Sequence, residues 1–287
     1  MHTRQRMILL VPLLLLIVPF LLWPAAFGLF ASLTNYAPNE HHLRFVGLDN
    51  YQVVVNDPQF RASVVNNLAF TLASVSAEMV IGFAVAYALR APFRGRNLMR
   101  LILLAPWLVS PIANGVMWHF LFNTQSGLLS YWLGWFGVIN PPSPLGTLGL
   151  ALPTAIFTEV WRNPPLVSFL LLPGLLAIPA DLWQQATLDG ASLFIRIWHV
   201  VLPQLRLLLL TVALLMIGGA LGEFDTILIL TGGGPGTETF MPGLYSFQQA
   251  FRINNWPLGA TSAWLIVFEL LLIVLGYLRL ARIGAEG

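Results

Sequence analysis

Long apolar stretches separated by short polar ones set the pattern of this chain. Six runs are long and apolar enough to cross a bilayer as helices of roughly 20 residues: 7–33, 66–89, 101–123, 149–177, 204–230 and 259–281. Between the fourth and fifth lies Pro179–Pro203, which carries Asp181, Gln184, Gln185, Asp189, Arg196 and His199. A membrane core does not hold such groups without partners, so this stretch is expected outside the bilayer. Pro179 stops the helix before it, Asp181 is placed to cap a new one, and the Asp189-Gly190 turn splits the stretch into two short helices. The first run follows Arg4 and Arg6 and contains Ala25-Ala26, as a cleaved signal peptide would. Its length and the further spans favour a retained anchor.

Composition narrows the class. The 287 residues are 57% hydrophobic and 9% charged, against about 25% charged in soluble domains, and mean hydropathy is +0.77. The expected fold is an all-α integral membrane protein, one transmembrane domain over 1–287. All 14 basic residues are arginine. Without lysine there is no phosphate-binding Walker A loop, so this chain alone is not a P-loop ATPase. Without cysteine there is no disulfide, thiol chemistry or thiolate metal site. The net charge of +2 does not point to nucleic acid, because the arginines sit in small groups at segment ends. Ten of them (Arg4, Arg6, Arg90, Arg94, Arg96, Arg100, Arg196, Arg206, Arg279, Arg282) fall on one side of the spans. Three (Arg44, Arg61, Arg252) fall on the other, and Arg162 lies inside a span. Positive charge is retained in the cytoplasm, which places both termini and 178–203 there. In the outer connections, Phe45–Tyr51 reads as a structured turn and Gly232–Gly236 as a flexible loop. Tyr131, Trp132, Trp135 and Phe136 suit the headgroup belt.

Six ionisable residues lie inside the spans: Glu78, Glu159, Arg162, Glu223, Asp225 and Glu269. Such groups usually face a bundle interior or a wet cavity. Glu159 and Arg162, three apart, share a helix face; a structural ion pair and a substrate contact both stay open. Glu223 and Asp225, two apart, cannot both face one cavity well. Glu78 and Glu269 fit an inter-helix hydrogen bond or a proton relay. Asn163-Pro164-Pro165 interrupts the fourth span, and Pro106, Ser110, Pro111 and Asn114 interrupt the third. Unwound backbone at that depth must be buried in protein or line a cavity. A cavity bordered by Trp107, Glu159, Asn163 and the small residues of the fifth span would suit a polar, ring-shaped solute. Gly218 and Gly222 suggest close helix packing, while Gly219 and Ala220 leave room for a ligand. His119 lacks partners at metal-ligand spacing, His41-His42 reads as an exposed pair in an outer loop rather than a metal site, and no catalytic constellation is compelling.

Gln184-Gln185-Ala186-Thr187-Leu188-Asp189-Gly190-Ala191, followed by Val200, Leu202 and Pro203, resembles the EAA loop of binding-protein-dependent ABC importer permeases. Phe45–Tyr51, Leu121-Phe122-Asn123, Trp161 with Pro165, Ile178-Pro179 and Leu230–Pro235 resemble the carbohydrate-importer, maltose-type branch. The resemblance covers essentially the whole chain. It implies a permease of about six transmembrane helices in the bacterial inner membrane, with a cytoplasmic coupling-helix loop. Gln184, Gln185, Ala186, Leu188, Asp189, Gly190, Ala191 and Phe194 would couple to an ATPase subunit, with Leu182, Trp183, Leu188, Phe194 and Ile195 as apolar candidates for its groove. Gln184 and Gln185 depart from the family's glutamate and alanine, replacing a charge-assisted contact with a neutral one. The family's sugar contacts fall here on Trp107, Pro111, Glu159, Arg162, Asn163, Leu166, Met216, Gly219 and Ala220. Expected partners are a second permease, two ATPase subunits or domains and an extracytoplasmic solute-binding protein; no cofactor is expected in this chain, ATP and Mg belonging to the ATPase. The rival expectation is a proton-coupled secondary transporter using Glu78, Glu159 or Glu269, and a third is a membrane enzyme using His119 and a carboxylate.

Overall fold

The computed structural model describes residues 17–37, 42–138 and 142–283. Arg4, Arg6, His41, the start of the 7–33 run and the Arg282 side chain lie outside the described part. In chain order the helices are α1 (Val18–Ser32), α2 (Asp49–Asn56), α3 (Pro58–Arg90), α4 (Arg96–Leu108), α5 (Pro111–Leu121) and α6 (Leu128–Trp135). They continue as α7 (Ala151–Arg162), α8 (Pro164–Ala177), α9 (Ala180–Leu188) and α10 (Leu193–Leu221). The last are α11 (Asp225–Leu230), α12 (Pro242–Phe247) and α13 (Trp256–Ile283). Helices α3, α10 and α13 are each long and apolar enough to cross a membrane, and the bent pairs α4 with α5 and α8 with α9 pass the same test.

The chain divides into two units, one from 1–61 with 242–268 and one from 62–241 with 269–287. In the first, the expected 45–51 turn is built around Asn50, whose Nδ2 donates to the Ser32 and Thr34 carbonyls at 2.8 and 3.0 Å. Gly47 turns the chain at φ +60, a conformation that glycine adopts without a Cβ clash. Buried Tyr245 donates its hydroxyl to Asp57 Oδ2 at 2.7 Å. Burial, with the adjoining carboxylate, pushes that phenol above its ordinary range, so it stays a donor.

In the second unit an apolar core runs through α3, α8 and α10, with Phe70, Leu171, Leu175, Leu205 and Val212 buried in it. Close approach depends on glycines other than those the sequence suggests. A Cβ on Gly82 would fall 2.5 Å from Val167 Cβ and 2.9 Å from the Pro164 carbonyl, and one on Gly174 would meet Leu205 and Leu208. By contrast Gly218 has only an ordinary 3.7 Å contact to Leu270, so Gly218 and Gly222 are not the packing pair. Which glycine lies at a crossing depends on the rotation of each helix, which their spacing does not set.

The interrupted spans break in different ways. At Val109–Ser110 the third span turns by 88°; Ser110 Oγ accepts from Ala113 N and caps α5, which begins at Pro111. At Asn163 the helical ladder breaks as expected, α7 ending at Arg162 and α8 beginning at Pro164, although the Asn163 backbone keeps near-helical φ −92 and ψ −25. Pro164 and Pro165 occupy the first turn of α8, where a missing N–H costs nothing. The helix then ends before Pro179, and α9 leaves at 79°. Pro179 itself caps α9, with Asp181 in the first turn and making no capping bond.

The second of the two short helices expected in 179–203 is instead the beginning of α10, continuous from Leu193 to Leu221. A π-helical turn at Ile197–Val201 sits just ahead of Pro203 and accommodates it without a break. The fifth span also stops earlier than expected, at Leu221, because Glu223 Oε1 accepts from Thr226 N and starts α11. The glycine loop after α11 is ordered: Thr239 Oγ1 donates to the Gly234 carbonyl at 2.8 Å and lies 2.7 Å from Thr231 Oγ1. Beyond it, Glu238 accepts from Gly149 N and Leu152 N, at the N-terminal end of α7. Among the belt candidates, Trp135 is 74% and Phe136 80% exposed.

Gly82→Val should lower the unfolding midpoint of the detergent-purified chain by a loss of about 1–3 kcal/mol. Gly276→Ala, where a Cβ meets nothing within 4 Å, should be neutral or stabilising in the same thermal melt.

Candidate functional site

Where Gly82 lets α3 approach Pro164, Glu78, one turn earlier, comes beside Asn163. Asn163 Nδ2 donates to Glu78 Oε1 at 3.0 Å and to Glu159 Oε1 at 2.9 Å. Arg162 Nη2 donates to the same Glu159 oxygen at 2.5 Å and lies 3.7 Å from Glu223 Oε2. The end of α7 and Asn163 just after it thus present a guanidinium and an amide to acids from three segments. Glu78 and Glu159 are 1% and 3% exposed. Glu223 is buried while Asp225 is exposed, the divergence their spacing implied. Glu78 makes the inter-helix hydrogen bond. Glu269 is half-buried on α13.

This cluster lies at a cavity of about 870 Å³. Eight residues singled out in sequence, Trp107, Glu159, Arg162, Asn163, Leu166, Met216, Gly219 and Ala220, line it together. Pro111 does not; as the first residue of α5 it is turned away by the 88° bend, and its carbonyl accepts from Thr226 Oγ1 at 3.3 Å. Residues missed as cavity lining include Thr211 and Leu215 on α10 and Leu270 and Val274 on α13. Their signal is helical spacing: Thr211 and Leu215 are four apart and continue to Gly219 along one face. Nothing comparable flags Leu270 or Val274 within a uniformly apolar helix. His119 Nδ1 is 2.9 Å from the Leu230 carbonyl and is no part of the cavity lining.

The 180–203 segment forms a separate surface. Gln184, Gln185, Asp189 and Gly190 are exposed, and so are Leu188 at 86% and Phe194 at 70%. Phe194 stacks on Trp198 with centroids 5.9 Å apart, an i, i+4 pair on one helix face. Ile195 is exposed too. Ala186 is not: it is 8% exposed, since its carbonyl accepts from Ala191 N at 3.0 Å to close the corner. Gly190 makes that corner at φ +67. Half-buried Ala191 accepts from Arg196 Nε at 2.8 Å. Leu182 and Trp183 pack onto the core of their own chain, with the Arg90 guanidinium 3.5 Å over the Trp183 ring. They are the structural side of the segment, and Leu188, Phe194, Ile195 and Trp198 its open side.

The family model described as "Binding-protein-dependent transport system inner membrane component" matches residues 78–283. The chain belongs to this family. The permease is 33% identical to the trehalose/maltose transport system permease protein MalF of Thermococcus litoralis, over 96% of this chain and 92% of that one. It is 30% identical to the sn-glycerol-3-phosphate transport system permease protein UgpA of Agrobacterium fabrum, over 93% and 90%. The bacterial alginate ABC transporter, solved with an alginate pentasaccharide-bound periplasmic protein, contains a chain of the same fold: TM-score 0.84, 18% identity, 97% of this chain and 94% of that one. The permease is therefore an inner-membrane transport subunit of an ABC importer and not an enzyme, with ATP hydrolysis on a separate ATPase. A proton-coupled secondary transporter finds no support in these relationships.

Arg162→Met strands buried carboxylates without a counter-charge, and should cost about 3–5 kcal/mol of stability. Adding Glu159→Gln should recover part of that loss. Thermal unfolding of the three proteins in detergent checks this; a single variant melting like the parent would remove the ion pair from the fold's supports.

Proposed function

We propose that the permease forms the translocation pathway for a sugar or sugar-like solute through the 870 Å³ cavity. The supporting observation is convergence: eight residues from three separate stretches line one space that combines apolar walls with the Glu159, Arg162, Asn163 and Glu223 polar end. The Trp107 ring offers an apolar face, while carboxylate and amide groups suit hydroxyls. The relatives named for trehalose/maltose and for sn-glycerol 3-phosphate carry an uncharged and an anionic cargo in their names.

The permease pairs with a second permease subunit and two ATPase subunits or domains, which hold ATP and Mg, and receives solute from an extracytoplasmic binding protein. Its termini and the 180–203 segment face the cytoplasm, as the arginine distribution indicates. The open side of that segment, Leu188, Phe194 and Trp198, docks on the ATPase, joined by Gln184, Gln185, Asp189 and Gly190. Ala186 and Ala191 contribute by shaping the corner. Closure of the ATPase pair pushes α9 and α10, and α10 reaches the cavity without a break.

In proteoliposomes holding the complete importer, uptake of the cognate sugar should require ATP and the binding protein. Leu188→Glu with Phe194→Asp should lower uptake by about ten-fold or more, as loss of two buried apolar anchors predicts, while the permease pair still co-purifies. ATP-independent uptake, or full uptake by that variant, would overturn this function and this docking surface respectively.

A further inference from the structure

Granting that the cavity is the solute path, we propose that it is built for uncharged, hydroxyl-rich solutes and excludes anionic ones such as sugar phosphates and uronates. Arg162 is the one basic side chain among the described residues lining it, against the two acids Glu159 and Glu223. Its charge is already opposed by carboxylates, although its buried Nε has no hydrogen-bond partner among the described residues. Nη2 is bonded to Glu159 Oε1 and sits 3.7 Å from Glu223 Oε2. Behind Asn163, Glu78 adds a third carboxylate to the same cluster. With one acid ionised the cluster is neutral, and with more it is negative. No state with an ionised acid leaves the guanidinium unopposed.

An anion entering this space would give up its hydration and meet carboxylates rather than a free cation, an arrangement that costs free energy twice. Asn163 gives no relief, because Nδ2 is already donating to Glu78 and Glu159. An uncharged polyol avoids both costs and brings O–H donors to a site rich in acceptors. Glu223 Oε2, at 3.7 Å from Arg162, is too far for a hydrogen bond to it and keeps lone pairs for a hydroxyl. Glu159 Oε2 is buried and without a hydrogen-bond partner among the described residues. Rejection by like charge is a way to discriminate cargoes of similar shape.

The test uses the complete importer complex in nanodiscs, with the solute-binding protein omitted because it selects on its own. Equilibrium binding is measured for radiolabelled matched pairs: trehalose and trehalose 6-phosphate, glucose and glucuronate, glycerol and sn-glycerol 3-phosphate. For any pair that binds, the uncharged member should be favoured by about ten-fold or more. Glu223→Gln should narrow that preference, and Glu159→Gln with Glu223→Gln, which frees Arg162, should invert it. Equal or tighter binding of the anionic member by the parent protein overturns the proposal but leaves the cavity as a solute site. An unchanged preference in Glu223→Gln also overturns it. Failure of every pair to bind overturns the cavity as solute path, and this proposal with it. If the double variant does not assemble, the parent and Glu223→Gln decide the matter.

Discussion

A single guanidinium shared among carboxylates inside an apolar bundle is the constraint on which the site depends. Buried acids are tolerated only when paired and hydrogen-bonded, and here Arg162 and Asn163, adjacent in sequence, supply the partners for Glu78, Glu159 and Glu223. Their position at the α7–α8 junction sets where α3 must pass and where α10 must end. Gly82 lets α3 come close enough, and Glu223 ends up on the connector after α10 because its other oxygen starts α11. The same network that holds the helices together forms the polar end of the cavity. Structural pairing and solute contact were alternatives in the sequence; the geometry shows the pairing, in residues that also line the cavity.

The second organising feature is the continuity of α10. At 1.5 Å per residue, Phe194 and Gly219 lie about 35–40 Å apart along one rigid element. The π-helical turn before Pro203 preserves that continuity where a proline would otherwise break it. Phe194 and Trp198 on the open surface and the cavity wall at Met216 and Ala220 thus lie on one helix, while Leu188 ends α9 across the Gly190 corner. Under the proposed docking, a push on Phe194 would reach Met216 and Ala220 along α10 without a separate relay.

Much of the site was legible before the structure because membrane depth makes polar residues and prolines conspicuous. Glu159, Arg162 and Asn163 stand out in an apolar run, and the Asp189-Gly190 corner stands out between spans. What misled was continuity across breakers. Asn163-Pro164-Pro165 does break the ladder, but the break keeps Asn163 near helical φ and ψ rather than opening an unwound stretch. Pro203 reads as a helix start, yet the helix begins at Leu193. Leu270 and Val274 were missed as lining because a uniformly apolar helix has no stripe to show which face turns inward.

The sequence by itself determined the class of protein, the family, the polar interruption between spans and the residues that need burial partners. These follow from hydropathy, residue chemistry and local spacing, which act along the chain. Only the tertiary structure decided which carboxylates share Arg162, which glycines lie at crossings, that Pro111 turns away from the cavity, and that Ala186 is a buried corner rather than an open contact. Those outcomes depend on the rotation and bend of each helix against its neighbours. Local sequence leaves both nearly free, and packing fixes them.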